Sequence, residues 1–246
     1  MSNQTVELMP ELDSFFAGNL ISDVLGLIKS GKEGSVYCCQ ATARSSYPLL
    51  AAKVYRPLKS RGFRNDALYR EGRVVSDRRA GRALKKKTSF GKSVQHGTWM
   101  AAEYETLQLL HGAGADVPAV VAQAESATLM QYIGDVVSPA DALRDVSLRP
   151  SEARPIFQRL LANIQLFLSH NLVHGDLSPY NILYWNGDIT IIDFPQAVDA
   201  RFNPNALSLL TRDLENVCSY FARYDIHANP MATATDLWQR YVHAEL

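Results

Sequence analysis

Two short stretches of sequence decide the fold: HGDLSPYN at residues 174–181 and IIDFPQ at residues 191–196. Asp176 and Asn181 lie five residues apart in the first stretch, and Asp193 follows Asn181 by twelve residues in the second. Two acids and an amide at this spacing meet only if the chain between them turns back on itself. The intervening residues therefore decide whether these side chains form one site.

The residues between the two stretches are predicted to form a β-hairpin. ILYW at residues 182–185 and ITII at residues 189–192 are rich in β-branched and aromatic residues, and Asn186-Gly187 between them is a strong signal for a two-residue turn. Because the hairpin returns the chain, we expect Asp193, at the end of its second strand, to face the loop that carries Asp176.

This set of side chains is typical of phosphoryl transfer from ATP, which needs a carboxylate to orient the acceptor and oxygen ligands to hold Mg²⁺ against the triphosphate. Asp176 is the expected acceptor-orienting group, and His174 is expected to brace its loop rather than to carry a proton. Asn181 and Asp193 supply the sparse oxygen donors that Mg²⁺ prefers, with Mn²⁺ as a candidate substitute. The sequence therefore predicts ATP and a divalent metal as cofactors.

An isolated lysine is predicted to complete the site. Lys53 lies in the apolar strand AAKVY at residues 51–55, and a buried ammonium group is costly unless it is paired. Glu103 on the following helix is an expected partner, and the pair would fix the lysine headgroup on the α- and β-phosphates. Glu105, on another face of that helix, is the alternative partner. An unpaired lysine that reaches water from an edge strand is the ordinary interpretation of Lys53 taken alone.

The order of the predicted elements indicates an α+β fold with two unequal parts. Short strands come first and are followed by one helix, two more strands and several helices. We expect a small antiparallel sheet with one long helix, joined to a mainly helical part, and Ser151 as the N-cap of the second helix. The predicted strands are residues 24–29, 34–41, 49–55, 119–123, 127–133, 182–185 and 189–193, and the predicted helices are residues 98–111, 151–171, 204–222 and 233–244.

The turn between the first two strands, SGKEGSVY at residues 30–37, is a candidate phosphate-binding loop. Gly31 and Gly34 would let backbone N–H groups approach phosphates. Two glycines in a hairpin are equally typical of an ordinary turn, so this assignment depends on the lysine and aspartate motifs.

Composition excludes several other classes of protein. The chain has 246 residues with 25 basic and 25 acidic side chains, so the whole protein is not a general nucleic-acid binder. No apolar run approaches the roughly 18 residues of a membrane helix, and the acidic N-terminal stretch does not resemble a secretory signal. Three cysteines without zinc-site spacing suit a reduced compartment, so we expect a cytoplasmic protein that does not associate with membranes.

The balanced charge hides one strongly basic segment. Residues 56–92 carry thirteen Lys or Arg and three acidic residues, a net charge of +10, with few large apolar residues. A long segment of this kind is either a solvated, flexible loop or a surface for a phosphate-rich partner such as RNA or a ribosomal particle. Both interpretations remain open from the residues alone.

From about Val24 to Phe221 the sequence resembles the RIO family of atypical protein kinases. SGKEGSVY is similar to the family's nucleotide loop, AAKVYR to its lysine strand, and WMAAEYETL to its glutamate helix, a match that selects Glu103 over Glu105. MQYIG is similar to the hinge that hydrogen-bonds adenine, with Met130 at the gatekeeper position. The resemblance implies a nucleotide site formed by Ser30, Gly31, Lys32, Gly34, Ser35, Val36, Lys53, Glu103, Met130, Gln131 and Ile133.

The resemblance also implies a bilobal protein-kinase-like fold and a single RIO-type kinase domain over residues 1–246. Residues 1–131 would form the N-lobe, including a flexible basic loop at residues 56–93, and residues 132–246 would form a reduced C-lobe. The implied activity is serine/threonine autophosphorylation or ATP hydrolysis, with Asp193 at the position where the family forms a phosphoaspartate.

Features of the C-terminal half bear on the substrate. Ser178 and Pro195 stand where ordinary protein kinases carry a lysine and a glycine, and about ten residues separate Asp193 from the next predicted helix. That distance leaves no room for a peptide-docking activation segment. Arg212 and Asp213 in that helix are expected to brace it against the catalytic loop.

Two other functions remain as alternatives. A small-molecule phosphotransferase also uses an HGDxxxxN loop, although the SGKE and IIDFPQ motifs argue against this class. A nucleotide-switched RNA- or pre-ribosome-binding module would use the basic segment at residues 56–92 as its contact surface.

Overall fold

The computed structural model describes residues 9–56 and 89–246, and for residues 89–99 it describes the backbone alone. The predicted basic loop therefore lies largely outside the described residues, and its interpretation as a loop or as a partner surface stays a prediction. No helix in the described part of the chain is both long enough and apolar enough to cross a membrane.

Among the described residues, five antiparallel strands form the sheet of the N-terminal part, in the order β1-β2-β3-β5-β4. They are β1 (Ile21–Ser30), β2 (Gly34–Ala41), β3 (Leu49–Tyr55), β4 (Val120–Gln123) and β5 (Ala127–Gln131). The predicted bounds of β2 and β3 are confirmed, whereas β1 begins three residues before its predicted start. β5 ends two residues early, because Ile133 leaves the sheet and its carbonyl accepts a hydrogen bond from the Ala140 N–H at 2.9 Å.

A short helix, α1 (Asp13–Ala17), precedes the sheet and was not predicted. Five residues are too few to show apolar periodicity. Phe15 in this helix and the preceding Leu12 are almost fully buried in one hydrophobic cluster with Ile21 and Leu50 of the sheet. Packing against the sheet, and not local helix propensity, therefore stabilises α1.

A long helix, α2 (Ser89–Gly112), connects β3 to β4 in the chain. The sequence predicted its start at Thr98 and a basic loop as far as residue 93, and both boundaries were wrong, because the helix begins at Ser89. The apolar spacing that reveals a helix begins only at Met100. Two glycines in the first turns lower helix propensity there, so those turns carry no helical signal in the sequence.

Three helices make up most of the C-terminal part: α3 (Pro150–Ser169), α4 (Ala206–Ala222) and α5 (Pro230–Val242). Short strands accompany them: β6 (Asp141–Ala142), β7 (Leu172–Val173), β8 (Ile182–Trp185), β9 (Asp188–Ile191) and β10 (Val198–Asp199). β8 pairs with β6 and β9, and β7 pairs with β10, all in antiparallel fashion. The three helices begin and end within three residues of their predicted bounds.

The start of α3 differs from the prediction in its cap. The N-cap is Arg149, whose backbone N–H donates to Glu152 Oε2 at 3.0 Å, while Ser151 lies inside the first turn. Pro150 occupies the first helical position, where its fixed φ suits a helix. A backbone N–H at this position would have no intrahelical acceptor, so a proline costs no hydrogen bond there. The proline therefore sets the start of α3, and the predicted capping role of Ser151 was wrong.

The predicted hairpin turn is confirmed. Asn186 and Gly187 have φ values of +50° and +92°, as a type I′ turn requires, and β8 pairs with β9 in a register that joins Ile182 to Ile191. β9 ends at Ile191, so Asp193 lies two residues beyond the strand rather than at its end. The φ of Asp193, +71°, is incompatible with strand geometry and explains this difference.

The described part of the chain has two separate hydrophobic clusters. One lies in the sheet part and consists of Leu12, Phe15, Ile21, Cys39, Ala41, Leu50, Ala52, Ala127 and Leu129. The other fills the helical part and includes Leu107 and Leu110 from the end of α2. Helix α2 thus reaches from the sheet to the helical core, and the predicted two-lobed α+β fold is confirmed.

Candidate active site

Lys53 lies at the centre of the candidate site. Its Nζ is 2.7 Å from Glu103 Oε1 and 2.8 Å from Asp193 Oδ1, although Asp193 is 140 positions away in sequence. The predicted ion pair with Glu103 is present, whereas Glu105 is solvent-exposed. Burial lowers the pKa of Lys53, but Asp193 and Glu103 outweigh this effect and hold the pKa well above its usual value. Lys53 is therefore a charged group held between two carboxylates.

Strand β3 and helix α2 bring the lysine and the glutamate together. Side chains alternate along β3, so Lys53 and Tyr55 share one face, and Thr128 of β5 is paired with Lys53 across the sheet. Glu103 from α2 meets this face and is 3% exposed. Its Oε2 accepts a hydrogen bond from the Tyr55 hydroxyl at 2.9 Å. Both carboxylate oxygens of Glu103 are thus engaged by side chains of β3.

Helix α4 fixes the loop that carries Asp176. The N–H groups of Gly175 and Leu177 each donate to the Asp213 carboxylate at 2.8 Å, and Arg212 donates to the Gly175 carbonyl. Burial raises the pKa of Asp213 to about 7, against the lowering effect of the two N–H donors. The predicted bracing of the loop by Arg212 and Asp213 is confirmed.

The Asp176 carboxylate is about half exposed, with 48% of the side chain accessible. Partial burial raises its pKa, Arg212 at 4.0 Å opposes this rise, and Asp193 adds to it, so the pKa is higher than usual. No described residue donates a hydrogen bond to this carboxylate. Asp176 is therefore accessible to a hydroxyl group that approaches from solvent.

Asn181 and Asp193 lie at the open end of the β8–β9 hairpin. The Ile192 N–H donates to the Asn181 carbonyl at 2.9 Å, and Asn181 Nδ2 donates to the Asp176 carbonyl at 3.0 Å. Burial acts to raise the pKa of Asp193, but Lys53 outweighs it and lowers that pKa below its usual value. The hairpin thus brings an ionised carboxylate and an amide next to the Asp176 loop.

His174 is 2% exposed and braces the loop from inside. Its Nδ1 accepts the Asp176 N–H at 3.3 Å, so the proton of a neutral ring is on Nε2, which lies 3.2 Å from the Ile192 carbonyl. Burial lowers the pKa of His174 to about 4. The expectation of a bracing role is confirmed, since a buried neutral imidazole links the Asp176 loop to the segment before Asp193.

The turn at residues 30–35 closes through its own backbone. The Gly31 N–H donates to the Gly34 carbonyl at 2.9 Å. A Cβ atom on Gly34 would lie 2.2 Å from the Val54 carbonyl oxygen, so strand packing by itself requires a glycine at this position. Lys29, just before the turn, is close enough to contribute to the lowered pKa of Asp193.

Side chains of the turn adjoin the strand that carries Lys53. Val36 is paired with Lys53 in the β2–β3 register, and the Ser30 and Ser35 hydroxyl oxygens are 3.1 Å apart. Lys32 is exposed. Of the predicted nucleotide-loop residues, Val36 therefore lies directly beside the central lysine, and Ser35 is paired with Val54, the next residue of the same strand.

The segment at residues 130–133 passes from β5 into the C-terminal part. The Gln131 N–H donates to the Ala119 carbonyl at 2.7 Å, and the Ala119 N–H donates to Gln131 Oε1 at 3.3 Å. Met130 is paired with Ala51 of β3. The Ile133 N–H donates to no described residue, which leaves this backbone donor available to a ligand.

Sequence reasoning did not single out Tyr55 or Asn216. Tyr55 is two residues after Lys53 in a strand, and Asn216, three residues after Asp213 in a helix, donates to the Leu177 carbonyl at 2.9 Å. Both spacings place the missed residue on the same face as a recognised one. Strand and helix periodicity around the recognised residues was therefore the available signal.

Comparisons with known proteins agree on one family. A model of the RIO domain matches residues 35–234 of the chain. The serine/threonine-protein kinase RIO1 of Homo sapiens is 28% identical over 214 residues, which make up 84% of this chain and 34% of that protein. The RIO-type serine/threonine-protein kinase Rio1 of Haloferax volcanii is 31% identical over 205 residues, 83% of this chain and 65% of that protein.

A solved structure shares the fold. The crystal structure of the Rio2 kinase–ADP/Mg²⁺–phosphoaspartate complex from Chaetomium thermophilum superimposes with a TM-score of 0.68 at 21% identity, and the match covers 95% of this chain and 69% of that chain. This likeness supports the bilobal architecture.

The chain spans only part of the length of its eukaryotic relatives, between 34% and 40% for the RIO1 kinases of Homo sapiens, Schizosaccharomyces pombe and Chaetomium thermophilum. The RIO domain model nevertheless extends over most of the chain and includes Lys53, Glu103, Asp176 and Asp193. Because the match covers far more than half of the residues, the chain belongs to the RIO family.

Proposed function

We propose that this protein is an Mg²⁺- and ATP-dependent atypical serine/threonine kinase that phosphorylates itself or another protein, hydrolyses ATP, or does both. The observation that carries the proposal is the double contact of Lys53, with Glu103 at 2.7 Å and with Asp193 at 2.8 Å. A largely buried lysine held by two acids suits polyphosphate binding, because its ammonium group can exchange a carboxylate for a phosphate oxygen.

We place the nucleotide between an N-lobe of residues 1–131 and a C-lobe of residues 132–246. The backbone of Gln131 and Ile133 supplies the contacts to adenine, and the available Ile133 N–H supports this assignment. The turn at residues 30–36 lies over the phosphates, and its position beside the lysine strand supports this arrangement.

The donor set of the site fits a magnesium ion. Asn181 uses Nδ2 to donate to the Asp176 carbonyl, so its Oδ1 is not engaged by that hydrogen bond. Lys53 contacts Oδ1 of Asp193, and no described residue hydrogen-bonds to Oδ2. Asn181 and Asp193 would hold Mg²⁺, which when bound neutralises charge on the β- and γ-phosphates.

Asp176 orients the acceptor hydroxyl and takes up its proton in this proposal. A bond forms between the acceptor oxygen and the γ-phosphorus, and the bond to the leaving ADP oxygen breaks. The acceptor is a serine or threonine hydroxyl of this chain or of another protein, or a water molecule. Asp193 is a further candidate acceptor, since the Rio2 relative was solved as a phosphoaspartate complex with ADP and Mg²⁺.

Labelled ATP with Mg²⁺ tests the proposal. We expect label from the γ-phosphate to appear on the protein or as free phosphate, and Asp176→Asn to lower the rate by roughly 10²- to 10⁴-fold. Asp225→Asn is the matched control, because Asp225 is exposed after the end of α4 and asparagine tolerates its φ of +59°. Transfer that persists unchanged in Asp176→Asn would contradict the assigned role.

The same assay separates protein phosphorylation from small-molecule phosphotransfer. A small-molecule phosphotransferase consumes ATP only when its metabolite is added, whereas autophosphorylation or hydrolysis proceeds without one. Addition of metabolite pools to the wild-type reaction therefore distinguishes the two functions.

A second candidate function is RNA or ribosomal-particle binding switched by the nucleotide. The net charge of +10 on residues 56–92 favours it, although most of that segment lies outside the described residues. We would replace Lys85, Lys86 and Lys87 with glutamine and measure the RNA-binding constant at several salt concentrations. The slope of log K against log salt concentration should become shallower by about 1 for each phosphate that the protein no longer neutralises. RNA affinity that is insensitive to both this change and ATP would exclude the candidate.

A further inference from the structure

We propose that Tyr55 is a positioning residue of the nucleotide site, and that its hydroxyl holds Glu103 in the orientation that fixes Lys53. This inference rests on the proposed function, because it assigns Tyr55 a part in ATP binding. Tyr55 does not touch the nucleotide in this proposal and acts through its two neighbours.

The Glu103 carboxylate is held on both sides. Its Oε1 is 2.7 Å from Lys53 Nζ, and its Oε2 accepts from the Tyr55 hydroxyl at 2.9 Å. The Tyr55 oxygen is in turn 3.3 Å from Thr128 Oγ1. Tyr55, Glu103 and Thr128 are 4%, 3% and 1% exposed. A carboxylate this deeply buried needs protein donors for both oxygens, and Tyr55 supplies the one that Lys53 does not.

The hydroxyl of Tyr55 is a permanent donor. Burial and the negative charge of Glu103 raise the pKa of Tyr55 above its usual value, so the group keeps its proton at neutral pH. The aromatic ring has a second contact, because Lys53 Nζ lies over it at 5.2 Å from the centroid. A Tyr55→Phe substitution therefore separates the two contacts, since it keeps the ring and removes the hydroxyl.

The two carboxylates that contact Lys53 compete for one ammonium group. Without the Tyr55 hydroxyl, Glu103 loses one of the two donors that the described residues supply and is less firmly oriented toward Lys53. Asp193 already contacts the same Nζ at 2.8 Å, so Lys53 would shift toward Asp193 and away from the phosphates. The expected consequence of losing the hydroxyl is weaker nucleotide binding, in addition to any loss of stability.

ATP affinity in a double-mutant cycle tests this inference. We expect Tyr55→Phe to raise the dissociation constant for ATP, measured by isothermal titration calorimetry, by about tenfold, as for the loss of a hydrogen bond to a charged group. In a Lys53→Met background the same substitution should change the constant by less than about twofold, because the hydroxyl acts through Lys53. Thermal melting verifies that each variant is folded.

Tyr184→Phe is the matched control. The Tyr184 hydroxyl also donates to a glutamate, Glu152 Oε1, at 2.9 Å, but it joins β8 to α3. Its loss should leave ATP affinity unchanged. An unchanged affinity in Tyr55→Phe, or equal losses with and without Lys53, would overturn the inference. Lys53→Met protein that binds ATP as tightly as the wild type would overturn the proposed function itself, and the inference with it.

A second variant covers the case in which Tyr55→Phe does not fold. Thr128→Val removes a second hydrogen-bonding partner of the Tyr55 hydroxyl. We expect about a threefold rise in the dissociation constant for ATP, absent in the Lys53→Met background. An affinity equal to that of the wild type would count against the inference.

Discussion

The ammonium group of Lys53 joins three parts of the molecule: strand β3, helix α2 through Glu103, and the β8–β9 hairpin through Asp193. Asp193 makes this contact from a φ of +71°, a conformation that costs a residue with a side chain about 1 kcal/mol or more. The strain therefore falls on the residue that we propose as both a partner of Lys53 and a ligand of magnesium.

His174 provides a pH-dependent prediction. The unfolded chain protonates this histidine near pH 6.5, whereas burial lowers the folded-state pKa to about 4. Between these values only the unfolded state binds the proton, so the stability that His174 contributes is lost as pH falls from about 6.5 to about 4. We expect the unfolding free energy of the wild type, minus that of His174→Gln, to fall by up to about 3 kcal/mol across this window.

Urea unfolding at several pH values measures this difference. Subtracting the variant removes the contributions of other titrating groups, including Asp213 with its raised pKa. His227→Gln is the control, because 72% of the His227 side chain is exposed. A wild-type minus His174→Gln difference that does not vary with pH would contradict a buried neutral histidine.

At the level of elements, α4 acts as the support of the Asp176 loop. Three side chains from consecutive turns of this helix, Arg212, Asp213 and Asn216, engage backbone groups of the loop. Arg212 also lies 4.0 Å from the Asp176 carboxylate. The loop backbone is thus tied to the helical core, while the Asp176 carboxylate stays about half exposed. Rigid support and an accessible carboxylate are both needed to orient an acceptor.

Removing this support gives a stability prediction. Asp213→Ala leaves the N–H groups of Gly175 and Leu177 without their acceptor, and we expect a loss of about 2 kcal/mol in the unfolding free energy. Asp213→Asn keeps one acceptor oxygen and should lose less. Asp236→Ala on α5 is the control, because 69% of that side chain is exposed and such changes stay within about 0.5 kcal/mol. Equal stabilities of Asp213→Ala and Asp236→Ala would argue against the support.

Local sequence signals predicted the elements whose limits are set locally. The bounds of β2, β3 and β8 were predicted because glycine, proline or Asn-Gly turns limit them. The start of β1 at Ile21 was not predicted, because it depends on a contact between segments: Ile21 is 2% exposed in a cluster formed with Leu12 and Phe15. Packing between separate segments sets that boundary, and a local pattern does not contain it.

At the level of the whole molecule, the sequence indicated which residues form the candidate site but only part of their contacts. Spacing and family resemblance together grouped Lys53, Glu103 and Asp193. The bond between Tyr55 and Glu103 was missed, because a tyrosine in an apolar strand is typical of an ordinary core residue. Which side chain the Tyr55 hydroxyl contacts depends on the rotation of α2 about its own axis. That rotation follows from the packing of the helix between the sheet and the helical core.

The convergence of Lys53, Asn181 and Asp193 on a magnesium triphosphate is tested most directly by a crystal structure with Mg²⁺ and a non-hydrolysable ATP analogue. We predict Mg²⁺ at about 2.1 Å from Asn181 Oδ1 and an Asp193 carboxylate oxygen. Lys53 Nζ should lie within about 3 Å of an α- or β-phosphate oxygen, with Asp176 facing the γ-phosphate. A nucleotide bound elsewhere, or these side chains turned away from it, would contradict the proposed enzyme.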